Sequence, residues 1–270
     1  MSFLQAGSSR ALKLLLQSEV SVRRPVIAGN WKMHKTQAET RAFFEAFKPL
    51  VSASRHCDII VAPPFTAIAA AVDAAKGASI SIAAQDGCWE REGAFTGEVS
   101  MPMLIDAGCR NVIIGHSERR KYFGETDATV NRKLKAAIEA GLQPIVCVGE
   151  DQSERDAGRT EQILERQFND GMAALTGPDF SRILIAYEPV WAIGTGCTAT
   201  PEIAAEVHAF LRRLAAKRFT PELAARARIL YGGSVKPDNI RSLMAQEEID
   251  GALVGGASLD ARSFSSIVNF

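Results

Sequence analysis

The chain has no excess of either charge: 31 lysines and arginines face 31 aspartates and glutamates, for a formal net charge of zero. That balance leaves no footprint for a nucleic-acid or membrane-surface partner. Cysteine pairs are missing as well. Cys57, Cys88, Cys109, Cys147 and Cys197 are scattered without a C-x-x-C pair, and Cys109 and Cys147 lie in or beside apolar runs. This pattern favours reduced thiols in a cytosolic compartment over disulfides or a zinc site. His34, His56, His116 and His208 show no ligand spacing, so no metal is expected. No apolar run approaches the length of a membrane span. Finally, no glycine cluster follows the first apolar run, where Asn30-Trp31-Lys32-Met33-His34 stand instead. An open doubly wound sheet would carry its glycine-rich phosphate loop there, and that fold is set aside.

What is present is length and alternation. With 270 residues and 47% hydrophobic content, the chain can bury a large core. Apolar, β-branched runs occur at Val26–Gly29, Asp58–Ala62, Ser79–Ala84, Asn111–Gly115, Pro144–Gly149, Ile183–Tyr187, Arg228–Tyr231 and Gly251–Val254. Between them lie helical patterns at Thr36–Val51, Ala67–Ala75, Ala128–Ala140, Glu161–Leu175, Pro201–Lys217, Pro237–Ala245 and Ala261–Val268. The first of these carries Phe43, Phe44 and Phe47 on one face, and Thr200-Pro201-Glu202 is a strong helix start. About eight β-then-α units in succession predict a parallel sheet closed into a (β/α)8 barrel, in the α/β class. One catalytic domain is expected over 23–270, with no composition break inside it. Residues 1–22 are basic, contain serine and are poor in acids; they are read as a disordered extension or a start-site artefact rather than an organelle presequence.

Barrel enzymes build their sites on the loops that follow the strands. The unusual polar residues fall there: Asn30 and Lys32 after the first strand, His116-Ser117-Glu118 after the fourth and Glu188 after the sixth. Gly232-Gly233-Ser234 follow the seventh and Gly255-Gly256 the eighth. Glu188 precedes Pro189, the apolar Val190, Trp191, Ala192 and Ile193, and then Gly194-Thr195-Gly196. Such an acid is either a base beneath a movable lid or a satisfied strand-end glutamate under a packed loop. The paired glycines are either tight turns or a cradle of backbone N–H groups for phosphate. Lys32 fits a cation that holds a phosphorylated anion, against a solvated surface lysine. His116 fits a donor to a developing oxyanion, against a hydrogen-bonded core residue. A helix beginning at Ser117 would keep His116 neutral. Together these groups suggest proton transfer next to a carbonyl.

The motifs Ala28-Gly29-Asn30-Trp31-Lys32-Met33-His34, Gly115-His116-Ser117-Glu118-Arg119-Arg120 and Ala186-Tyr187-Glu188-Pro189-Val190-Trp191-Ala192-Ile193-Gly194-Thr195-Gly196 closely resemble those of the triosephosphate isomerase family. Tyr231-Gly232-Gly233-Ser234-Val235 and Leu253-Val254-Gly255-Gly256-Ala257-Ser258-Leu259 continue the resemblance, in the family's order, from Arg23 to the C-terminus. It implies cofactor-free interconversion of dihydroxyacetone phosphate and D-glyceraldehyde 3-phosphate, in cytoplasmic glycolysis and gluconeogenesis. By position it implies Glu188 as base, His116 as neutral electrophile, and Lys32 and Asn30 as substrate contacts. Ser117 and Glu118 would support the base and the lysine. Gly194, Ser234, Gly255 and Gly256 would donate to phosphate; Trp191 belongs to the lid, with Tyr231 and Ser234 as its latches. Residues 85–98 resemble the family's dimer loop, implying a homodimer in which Thr96 braces Asn30 and Lys32 of the neighbour. Two departures stand out: Cys197 replaces the lysine common at the lid's far hinge, and residues 1–22 have no counterpart. A ring-opening phosphosugar isomerase would place Asp or Cys at the end of the first strand, where Asn30 and Lys32 stand. A catalytically dead scaffold would have lost Glu188, His116 or Lys32.

Overall fold

The structure, a computed structural model, describes residues 23–192 and 199–270. The expected extension 1–22 and the lid glycines Gly194 and Gly196, with Cys197, lie outside the described residues. Eight strands, β1 (Val26–Asn30), β2 (Asp58–Ala62), β3 (Ile80–Ala84), β4 (Asn111–Ile114), β5 (Gln143–Val148), β6 (Leu184–Tyr187), β7 (Arg228–Tyr231) and β8 (Gly251–Val254), pair in chain order. The first and last are parallel neighbours, Val26 opposite Gly251, which closes the barrel.

The pleat of each strand sorts its residues into two cores. Val26, Ala28, Ile60, Ala62, Ala83, Ile113, Ile145, Cys147, Leu184, Ala186, Leu230 and Leu253 form one buried cluster, the barrel interior. Their alternate neighbours, such as Ile27, Ile59, Val61, Ile82 and Ile185, join a second cluster with side chains from the surrounding helices. Stepping by two along the inward row carries Ala28 to Asn30, Ala186 to Glu188, Leu230 to Gly232 and Leu253 to Gly255. The strand period therefore delivers these residues to the C-terminal mouth of the barrel.

The helices of the outer layer are α1 (Gln37–Val51), α2 (Ile68–Ala75), α3 (Met101–Asp106), α4 (Ser117–Phe123), α5 (Asp127–Ala140) and α6 (Gln152–Asp156). They continue as α7 (Thr160–Gly171), α8 (Gly177–Phe180), α9 (Pro201–Arg218), α10 (Pro221–Arg226), α11 (Ile240–Met244) and α12 (Ala261–Val268). Helix α1 starts at a capping box, Thr36 with Glu39, and turns Phe43, Phe44 and Phe47 inward onto Trp31 and Phe264. The short helices α3, α6, α8 and α10 escape a search for apolar periodicity because they hold too few turns. Their caps, Ser100, Asp151, Thr176 and Thr220, are what define them.

Two expected helices are corrected. The pattern Glu161–Leu175 stops at Gly171, and Ala174 then takes a left-handed φ of 59°. The pattern Pro237–Ala245 begins only at Ile240, because the Lys236 N–H bonds to the Asn239 side chain and makes a turn of the intervening residues.

Glycine is required where the barrel closes. Gly251 has φ 142°, and a Cβ there would lie 1.9 Å from the Val26 carbonyl oxygen. Gly251→Ala is expected to cost about 3 kcal/mol or more in urea unfolding at fixed protein concentration. Gly158→Ala, at φ 67° with open space around it, is expected to cost only about 1 kcal/mol. Equal losses would show that the seam yields without strain.

Candidate active site

A cavity of about 330 Å³ opens at the barrel mouth, lined by Asn30, Lys32, His116, Glu188, Gly232 to Lys236, Leu253 and Gly255 to Ala257. Lys32 holds a left-handed backbone, φ 53°, steadied by its N–H to Asn30 Oδ1 at 3.0 Å and by Gln85 Nε2 to its carbonyl at 2.8 Å. Its ammonium reaches Glu118 Oε1 at 2.6 Å, and its stem runs beside Gly255, where a Cβ would sit 3.8 Å from Cε. Gly115, at φ 75°, turns the chain after β4, so that His116 stands over the cavity as the N-cap of α4.

The first turn of α4 organises the two central groups. Its Ser117 N–H donates to Glu188 Oε2 at 2.8 Å, and its Glu118 N–H donates to His116 Nδ1 at 3.2 Å. With Nδ1 accepting, the imidazole proton belongs on Nε2, which lies 2.9 Å from Glu188 Oε1. Burial disfavours the imidazolium, but the facing Glu188 carboxylate, with Glu118 beyond it, outweighs burial and raises the His116 pKa. Glu188 moves the other way: burial raises its carboxyl, while His116, the Ser117 N–H and Lys32 together lower it. In this arrangement the Glu118 N–H leaves the imidazole proton on Nε2, while the facing Glu188 carboxylate favours the imidazolium, the opposite of the neutral histidine expected from the helix start.

Helix α4 is itself firmly held. Arg119 reaches Glu125 at 2.7 Å and Asp86 at 2.9 Å, and Asp86 and Glu125 share the buried Lys133. Arg120 donates to the Gly115 carbonyl at 2.9 Å and to Asp127 at 2.6 Å. Space around Glu188 is made by glycines: a Cβ on Gly149 would lie 1.8 Å from the Glu188 carbonyl oxygen, and one on Gly232 2.9 Å from Cγ.

In the loop after β6, Trp191 Nε1 donates to Glu150 Oε1 at 2.9 Å, and the Tyr187 hydroxyl donates to the same oxygen at 3.1 Å. Arg155 stacks on the Trp191 ring at 4.1 Å. Tyr231 runs beneath Gly233, where a Cβ would come within 2.2 Å of its hydroxyl oxygen. Burial pushes that phenol up to about 12, against a backbone contact at Ala199 that lowers it.

The family model described as triosephosphate isomerase matches residues 25–270. The chain belongs to the triosephosphate isomerase family. It is similar to the triosephosphate isomerase of Solibacter usitatus, 62% identical over 249 residues, which are 92% of this chain and 100% of that protein. The one from Moorella thermoacetica is 59% identical, over 92% of this chain and 99% of its own length. The crystal structure of triosephosphate isomerase from Bartonella henselae superposes with a TM-score of 0.82 at 39% identity, covering 91% of this chain and 98% of that one.

Of the residues that the sequence assigns to a triosephosphate isomerase site, Asn30, Lys32, His116, Glu188, Ser234, Gly255 and Gly256 line one cavity. Ser117 and Glu118 stand behind it; the Ser117 contact comes from its backbone N–H. Trp191 lies on the loop after β6 and Tyr231 ends β7, whereas Thr96 is exposed on the 85–98 loop and lines no part of the cavity. Gly194 lies outside the described residues. Glu150 and Lys236 were not anticipated, and neither was Gln85 as a brace of Lys32. Glu150 was findable, since it follows β5 as Glu188 follows β6.

One outcome tests the charge balance at this pair. In Glu188→Gln the carboxylate that raises the His116 pKa is gone, and burial should bring it below the ordinary histidine value. A titration followed by imidazole ¹⁵N NMR reads it; an unchanged or higher pKa would remove Glu188 as the cause.

Proposed function

We propose that this cavity carries out the triosephosphate isomerase reaction, with Glu188 as the base that removes a proton from carbon. The observation that supports it is the meeting of Glu188 and His116, 2.9 Å apart, over a cavity bordered by the glycines after β7 and β8. At rest both Glu188 oxygens are engaged, by His116 and by the Ser117 N–H. Catalysis requires the carboxylate to leave the imidazole. That single movement frees a base for the C1–H of dihydroxyacetone phosphate and releases the His116 Nε2–H to the C2 carbonyl oxygen.

The C1 proton passes to Glu188, and the C–H electron pair forms the C1–C2 double bond as O2 gains negative charge. Glu188 then returns the proton to C2, while His116 relays the hydroxyl proton between the two oxygens. Once Glu188 has turned away, burial and the Glu118 N–H act on His116 without the opposing carboxylate, which suits a neutral hydrogen-bond donor. Lys32 supplies a fixed positive charge beside the enediolate, and Asn30 holds the Lys32 backbone as well as facing the cavity. Backbone N–H groups near Ser234, Gly255 and Gly256 receive the phosphate, and Gly194 adds another from the lid.

The working form is a homodimer. On the described surface Met33, Phe65, Phe95, Met103 and Phe123 are large apolar side chains left 42–94% exposed, several of them on or near the 85–98 loop. In the dimer this loop carries Thr96 to the neighbour's Asn30 and Lys32. We place the protein in the cytoplasm. Cys57 and Cys109 are buried thiols, pushed up to about 11 and about 12 by burial, which keeps them protonated and inert.

Purified protein is expected to interconvert the two triose phosphates in a coupled assay, with Glu188→Gln slower by about 10³-fold or more. Inactive wild-type protein would sink the assignment, and an active mutant would remove Glu188 as base. Thr96→Arg is expected to shift sedimentation towards monomer and to reduce turnover together; a fully active monomer would refute the role of Thr96.

A further inference from the structure

The ionisable side chains lining the cavity are Lys32, His116, Glu188 and Lys236. Three of them are already engaged: Lys32 with Glu118 at 2.6 Å, and His116 with Glu188 at 2.9 Å. Lys236 differs. Its backbone is pinned, the N–H donating to Asn239 Oδ1 at 2.8 Å and the carbonyl accepting from the Ile240 N–H at 3.2 Å, with Pro237 next in the chain. Its ammonium, by contrast, has no ion-pair, hydrogen-bond or ring partner among the described residues. Asp238, the nearest acid in sequence, is exposed and does not line the cavity.

Charge bookkeeping around the mouth then decides what Lys236 does. Lys32 and Glu118 cancel as an ion pair, and Glu188, the carboxylate lining the cavity, faces an incoming phosphate dianion. Lys236 cancels the carboxylate's charge, and it stands next to Ser234 on the rim where the phosphate would be received. An exposed, unpaired cation at the edge of a low-dielectric cleft attracts anions from solution and acts mainly on their capture. We propose that Lys236 is a specificity-determining residue that guides phosphorylated substrate into the site and favours it over the unphosphorylated sugar. It touches no reacting atom. This inference rests on the assignment of the cavity to triose phosphate.

The test compares wild type with Lys236→Gln and Lys236→Arg. At low ionic strength Lys236→Gln should lower kcat/KM for D-glyceraldehyde 3-phosphate about 3- to 10-fold, with the loss in KM and not in kcat. Added salt should shrink the gap between wild type and mutant. Competitive binding of inorganic phosphate should weaken by a similar factor, Lys236→Arg should restore both, and the loss should be confined to the phosphorylated substrate when D-glyceraldehyde is run alongside. Wild-type kcat/KM in Lys236→Gln, a loss independent of salt, an equal loss on D-glyceraldehyde, or failure of arginine to rescue would each overturn the proposal. Phosphate affinity can be titrated without turnover, so an inactive wild type would defeat the functional assignment while leaving the role of Lys236 in anion capture separately readable.

Discussion

Two backbone N–H groups at the start of α4 hold the centre of this protein in place. Ser117 gives its hydrogen to Glu188 and Glu118 gives its hydrogen to His116, so one helix end orients both side chains of the central pair. A helix N-terminus has unsatisfied donors by construction, and here they serve a carboxylate from the sixth strand and an imidazole at the helix's own cap. The buried Lys133, Asp86, Glu125 and Arg119 cluster makes sense in that light. It fixes the body of α4, and the body of the helix fixes its first turn. Losing one member of such a cluster leaves buried charge uncompensated, and the disturbance would reach His116 without touching it.

The barrel contributes position and space. Parity along each strand brings Asn30, Glu188, Gly232 and Gly255 to the same mouth, and glycines at 149 and 232 leave the base a place among backbone atoms. His116 does not follow from parity. It reaches the mouth because Gly115 adopts a backbone that other residues rarely take.

Much of this could be read from the chain alone, for physical reasons that can be named. Buried parallel strands are short apolar runs, so all eight were visible to within a residue or so at each end, and site residues follow strands in such barrels. Amphipathic helices such as α1 and α9 repeat their pattern over several turns and were found as well. Four-to-six-residue helices have no period to detect, and the stop of α7 depends on a left-handed alanine that composition does not announce. Within the site, most of the polar groups that line the cavity were legible, whereas their braces were mostly not. Gln85 holding the Lys32 carbonyl, and Glu150 gathering Tyr187 and Trp191, are pairings between distant parts of the chain that only folding brings together.

Lys32 shows what such bracing is for. A lysine at φ 53° occupies a region that costs a non-glycine residue of order 1 kcal/mol, and Asn30 and Gln85 hold it there before any ligand arrives. The ammonium is therefore set in advance, and little ordering entropy is left for binding to overcome. The same arrangement leaves the fold less stable than it would be with glycine at this position. Replacing the lysine with glycine would relax the backbone and remove the charge together, so the strain and the cation come as a single choice of residue.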